Sequence, residues 1–138
     1  MDFYVLANPG QSPDRLACKL AMMAWEQGHH VAVLTEDESH AESLDEIMWD
    51  FPPGRFLPHS TGRVDPETPV SINSSGSEIP ADRDVVINLA DTAVPEPDRF
   101  KRLLEIVPGL EQKRLASRQK FREYRSLGLN PASHPIGK

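Results

Sequence analysis

Arg114, Arg118 and Arg122 recur at four-residue intervals near the end of the chain, with Phe121 among them and Arg125 just beyond. In a helix this spacing stacks the guanidinium groups along one face. Each is a permanently charged planar fork that can grip a carboxylate through two parallel hydrogen bonds. An aromatic edge beside such forks suits a short acidic peptide with an apolar end. A merely solvated basic face is the competing reading, since many amphipathic helices carry one.

Other residue groups offer less. Glu36, Asp37 and Glu38 follow an apolar run and can in principle hold a metal or a ribose, with His59 joining them if its strand lies adjacent. Acidic residues ahead of a helix also meet its positive end favourably, and that reading is preferred. His29, His30, His40 and His134 show no ligand spacing and no evident carboxylate to orient them, so they read as ordinary surface histidines. The stretch from Asn8 to Arg15 stands where open α/β sheets often cradle phosphate, yet it carries neither G-x-x-x-x-G-K-[ST] nor G-x-G-x-x-G. Cys18 is the single cysteine, which rules out an intrachain disulfide and a thiolate cluster and points to an inert core thiol. With no nucleophile–base pair, no catalytic residue, metal or cofactor is expected.

These side chains need elements to hold them. Phe3 to Ala7 reads as a buried strand ending in the turn Asn8-Pro9-Gly10. Ser12 as N-cap, Pro13 at the first helical position and the spacing of Leu16, Leu20, Met23 and Ala24 predict a helix closed by Gly28. Val31 to Leu34 reads as a strand, and Ser39 is taken to cap a helix with Leu44, Ile47 and Met48 on one side, stopping at Pro52-Pro53-Gly54. Phe56-Leu57, Val70 to Ile72 and Val85 to Leu89 read as strands, with a Ser/Gly/Pro-rich loop from Asn73 to Pro80. Helices are predicted over about 98–106 and 110–127. On a wheel of the second, Leu110, Ala116, Ser117, Tyr124 and Leu127 form the small or apolar arc, the arginines the adjoining stripe, and Phe121 the border. Strands alternating with helices predict a single three-layer α/β domain over residues 1–130, mainly parallel with helices on both faces, followed by a loose tail over 131–138.

The 138 residues are 38% hydrophobic and 26% charged, the range of one globular domain. No apolar run is long enough for a membrane span and no basic leader opens the chain, so a cytoplasmic location is expected. The net charge is −6, but between Arg99 and Arg125 nine basic residues stand against three glutamates. An acidic body with one basic segment suits a local acidic partner better than a surface that coats nucleic acid. Trp49 and Phe56 flank a Pro-Pro-Gly stop where aromatics are hard to bury; they either cap the core or form an exposed docking patch, as interface hot spots often do.

In order along the chain, Phe3-Tyr4-Val5-Leu6, the run from Gly28 to Asp37, Leu44-Asp45-Glu46-Ile47-Met48-Trp49 and Phe56-Leu57-Pro58-His59 resemble the chi subunit family of DNA polymerase III. Val70 to Ile72, Asp84 to Leu89, Glu105 to Pro108 and Arg118 to Gly128 resemble its later blocks, so the likeness covers nearly the whole chain. It implies a mononucleotide-binding-like outline without a phosphate loop and a non-catalytic adaptor of the clamp-loader assembly in DNA replication. The implied partners are the psi subunit, at Trp49 and Phe56, and the acidic C-terminal tail of single-stranded DNA-binding protein, at Val107, Arg114, Arg118, Phe121 and Arg122. Arg118 is expected to take the tail's terminal carboxylate, with Arg114 and Arg122 nearer the rim. The family often has Tyr where this chain has Phe121, and Lys where it has Arg114 and Arg122. A small α/β enzyme using the acidic strand ends, or a direct nucleic-acid binder through the arginine helix, are the alternatives.

Overall fold

Local signals start and stop the first helix as the sequence predicts. In the computed structural model, which describes residues 1–50, 59–61, 69–74, 79 and 82–136, α1 spans Pro13–Glu26 and the Ser12 hydroxyl accepts the Arg15 N–H at 3.2 Å. Gly28, at φ +88°, turns the chain out so that its N–H reaches Trp25 O and the His29 N–H reaches Ala24 O. A residue with a Cβ is strained at that angle. The second helix, α2 (Glu38–Asp50), begins differently from the expectation. Asp37, not Ser39, is its cap, and its carboxylate accepts the His40 N–H at 2.8 Å.

The strands are β1 (Asp2–Leu6), β2 (Val31–Thr35), β3 (His59–Thr61), β4 (Val70–Ser74), β5 (Val85–Asn88), β6 (Arg102–Val107) and β7 (Ala132–Ile136), and α3 spans Glu111–Ser126. They form one sheet in the order β3-β4-β2-β5-β6-β1-β7, and every pairing is parallel. Helices α1 and α2 cover one face, packing around Leu6, Val33, Ile72, Ile87 and Ile106. On the other face Phe3, Ala32, Val86, Leu103 and Val107 pack with Tyr124 of α3. The result is the three-layer α/β arrangement that continuous apolar strands require.

Two elements differ from the sequence reading. The helix expected over 98–106 is only a 3-10 turn at Pro97–Arg99 followed by β6, whose residues from Leu103 to Val107 are all buried. The short run Leu-Leu-Glu-Ile-Val shows no alternation that would distinguish a buried strand from a helix. Within the tail expected to be loose over 131–138, Ala132–Ile136 form β7, paired with β1 from Asp2↔Ala132 to Leu6↔Ile136. Its Pro135 is tolerated because an edge strand leaves one side without a ladder to complete. Phe56 and Leu57 lie outside the described residues, as do most of residues 73–80. No helix among the described residues is long and apolar enough to cross a membrane.

Candidate functional site: a groove between the last helix and the sheet edge

Helix α3 lies over β6 and β1, and beside it, toward β7, a groove of about 480 Å³ opens. Phe3 and Val5 of β1 form its floor, with Val107 at the end of β6. Arg114, Ser117, Arg118 and Phe121 are its helical wall, one residue or pair per turn. Phe121 is braced from below by Phe3, ring centroids 5.4 Å apart. Four of the five residues expected at a peptide pocket therefore meet here. The fifth, Arg122, is exposed and outside the lining.

The charges are unevenly placed. Among the described residues two guanidinium groups line the groove and no carboxylate does. Arg118 is exposed and makes no ion pair among the described residues. Arg114, expected nearer the rim, is instead half-buried: its Nη2 points at the carbonyl oxygens of Leu6 and Ala7, 3.4 Å from each, and its Nε is buried without a hydrogen-bond partner. An unpaired fork beside apolar walls favours an anionic ligand with a hydrophobic part. Other basic residues of the segment are engaged elsewhere, Arg102 with Asp2 and Lys113 with Asp91.

What fixes α3 on the sheet is a polar cluster that the sequence did not disclose. Glu105 of β6 is fully buried, and so is Lys120 of α3, whose Nζ donates to Glu105 Oε1 at 2.7 Å and to Ala90 O at 2.6 Å. Tyr124 Oη donates to Glu105 Oε2 and accepts the Val94 N–H at 2.8 Å, while Asn88 Nδ2 donates to the same carboxylate oxygen at 2.8 Å. Burial pushes the Glu105 carboxyl above its ordinary range, against the pull of Lys120, Tyr124 and Asn88. Burial and the neighbouring carboxylate likewise push the Tyr124 phenol far up. The buried face of α3 is thus Ser117, Lys120 and Tyr124, whereas Leu110 and Leu127, placed in the apolar arc by the helical wheel, are 49% and 66% exposed.

The crevice where a mononucleotide fold takes phosphate lies between β1 and β6, whose following helices go to opposite faces. Gln11 Oε1 accepts the N–H groups of Ala7 and Asn8, and Asn8 Oδ1 accepts that of Gly10, so the turn satisfies its own donors. Gly109 presses on the same turn so closely that a Cβ there would sit 2.3 Å from the Asn8 carbonyl carbon. Over these turns opens a second cleft of about 470 Å³, lined by Pro9, Gln11, Pro108 and Gly109 and bordered by Glu36, Asp37, Asp14, His40 and Lys113. Among the described residues no three metal-capable side chains converge. The Cys18 thiol is buried, which pushes it up to about 12.

The histidines do have carboxylate partners, contrary to the sequence reading. His29 Nδ1 is 2.7 Å from Asp84, His40 Nε2 is 2.9 Å from Asp14 and His134 Nε2 is 2.8 Å from Asp2. His29 and the His30 N–H hold Asp84 below the usual carboxylate range, overcoming the opposing effect of burial. The hydrogen bond to Asp14 raises the His40 imidazole above its ordinary value, more than burial lowers it. A raised folded-state value means that this stabilisation is complete below about pH 6.5 and is lost as the pH rises through the folded value. Asp14→Asn should therefore cost on the order of 1 kcal/mol at pH 6 and much less at pH 9. Chemical denaturation at both pH values, with NMR titration of the imidazole, checks this; an equal loss at both would show that the pair does not titrate.

Fold and groove together define a three-layer, all-parallel α/β protein with a self-bonded turn after its first strand and a basic-edged apolar groove along its last helix. The chain belongs to the DNA polymerase III chi subunit family: the family described as DNA polymerase III chi subunit, HolC, matches residues 1–132. A DNA polymerase III subunit chi of Pseudomonas aeruginosa is 37% identical over 138 residues, covering 99% of this chain and 96% of the relative. The subunit chi of Escherichia coli is 28% identical over 135 residues, covering 93% and 92% of the two chains. Among solved structures, a DEAD box protein from the hyperthermophile Methanococcus jannaschii matches 95% of this chain with a TM-score of 0.56 and 13% identity, the chain spanning 40% of that protein. That likeness concerns the fold alone.

Proposed function

We propose that this protein is a non-catalytic accessory subunit of DNA polymerase III, working in the cytoplasm, that links the clamp loader through psi to the C-terminal tail of single-stranded DNA-binding protein. The observation that carries the reading is the groove beside α3, with apolar walls and, among the described residues, two guanidinium groups and no carboxylate. An acidic tail ending in an aromatic residue lays its ring against Val107 and Phe121 and gives its terminal carboxylate to Arg118. Arg114 adds charge near the end of β1, and Arg122 attracts the preceding aspartates from outside the groove. Many weak contacts of this kind would gather the polymerase on coated template strands. No direct contact with nucleic acid and no cofactor is proposed.

The test is fluorescence anisotropy of a labelled peptide with several aspartates and a C-terminal phenylalanine. The free-carboxylate peptide should bind saturably, its amidated form far more weakly, and a labelled single-stranded oligonucleotide not at all. Binding of the oligonucleotide in preference to the peptide would replace this reading with direct nucleic-acid binding.

Support for the psi contact comes from Trp49, which is 59% exposed near the end of α2. Large exposed aromatics are typical anchors of an interface, and truncating one costs about 2 kcal/mol or more. Trp49→Ala should weaken psi about 30-fold while leaving the isolated chain folded. Calorimetric titration with psi and a thermal melt check both halves. A collapsed melt with normal psi binding would make Trp49 a structural residue. Phe56, proposed as its companion, lies outside the described residues.

A further inference from the structure

We infer that β7 is the second wall of the tail groove and sets the size of the terminal side chain it accepts, an inference that rests on the tail-binding reading above. Parallel pairing sets Ser133 opposite Phe3 and Pro135 opposite Val5. Side chains along a strand alternate between faces, so Ser133 and Pro135 share the α3 face with Phe3 and Val5, and both border the groove. His134 points to the other face, where it stacks on Tyr4 at 5.3 Å and bonds to Asp2 at 2.8 Å. The strand is thus pinned from one side and presented to the groove on the other.

The two residues contribute differently. Pro135 offers a rigid apolar ring across the groove from Phe121, and its missing N–H denies a bound peptide a backbone donor at that point of the edge. Ser133, facing Phe3, is small and leaves the space beside the floor open. A ring entering between Phe121 and Pro135 is therefore limited by what stands at position 133.

Ser133→Phe fills that space and should weaken the Phe-ended acidic peptide at least about tenfold, as loss of a central apolar contact does. The same variant should lose little affinity for a peptide ending in alanine, so the preference for phenylalanine over alanine collapses. Ala132→Phe, which adds the same ring on the opposite face of β7, should stay within about twofold of the wild type. Anisotropy with both peptides, run beside thermal melts, reads all of this. If Ser133→Phe fails to fold, Pro135→Ala takes its place, with an expected loss of about threefold to tenfold for the Phe-ended peptide alone. An unchanged preference in a folded variant, with Arg118→Ala still impaired, overturns the role of β7 and leaves the tail reading standing. Absence of peptide binding by the wild type overturns both.

Discussion

Arg118→Ala should weaken the acidic tail peptide about 30-fold or more without moving the melting temperature. Losing one partner of a desolvated charge pair costs roughly 2–5 kcal/mol, and a terminal carboxylate brought against apolar groove walls is desolvated on binding. In the free protein Arg118 is exposed and makes no ion pair among the described residues, so its truncation orphans nothing there. The loss then belongs to the complex. Arg118→Lys keeps the charge but not the planar fork and should fall between the two. Amidating the peptide should mimic Arg118→Ala, and combining both changes should add little if they report one contact. Arg122, outside the groove, should cost less than about 1 kcal/mol on truncation, an effect screened by salt. Arg114→Ala needs a melt beside it, because that side chain also approaches two carbonyl oxygens of the chain. Anisotropy at two salt concentrations measures the series. Equal binding by wild type and folded Arg118→Ala would remove the carboxylate grip from this helix.

The parts of this groove differ in how openly the sequence carried them. Helix α3 and its arginines were legible because spacing by four is a local property, as were the Ser12 cap, Pro13 and the Gly28 stop of α1. The stretches that became β2, β4 and β5 were likewise readable as apolar runs between turns. Strand β6 was not, since Leu103 to Val107 carry no alternation to separate strand from helix. Nor was β7, an exposed edge strand of sequence Ala-Ser-His-Pro-Ile with a proline and no apolar period. Its loss from the sequence reading hid one side of the groove. The carboxylate partners of His29, His40 and His134 stand 55, 26 and 132 residues away, separations that only the sheet order closes. Nothing in the sequence singled out Lys120 and Glu105 as a buried pair, because charged residues are mostly exposed and their pairing depends on how α3 sits on the sheet.

Lys120→Ala should be the most damaging single change in the domain, lowering stability by about 3–5 kcal/mol, because it leaves Glu105 buried without its counter-charge. The geometry explains why compensation is hard. Both oxygens of Glu105 are already fixed, one by Lys120 and the other by Tyr124 and Asn88, and its side chain is buried from solvent. Water entering the space left by the side chain cannot supply the missing positive charge, so the carboxyl must take up a proton or stay buried at a cost. For a chain of this size such a loss corresponds to a fall in melting temperature on the order of 10 °C. The double change Glu105→Gln with Lys120→Met removes both charges at similar volume and should recover most of that loss. Chemical denaturation of the two variants, with peptide anisotropy on the same samples, checks the energetics and their link to the groove. Lys120 lies between Arg118 and Phe121 on α3, so releasing it loosens the wall that holds the peptide. Tail affinity should fall together with stability in Lys120→Ala and return in the double variant, whereas Arg118→Ala loses affinity alone. A Lys120→Ala protein within about 1 kcal/mol of wild type would mean that the pair does not hold α3 in place, and the groove would then owe its shape to the packing of Phe3, Phe121 and Tyr124.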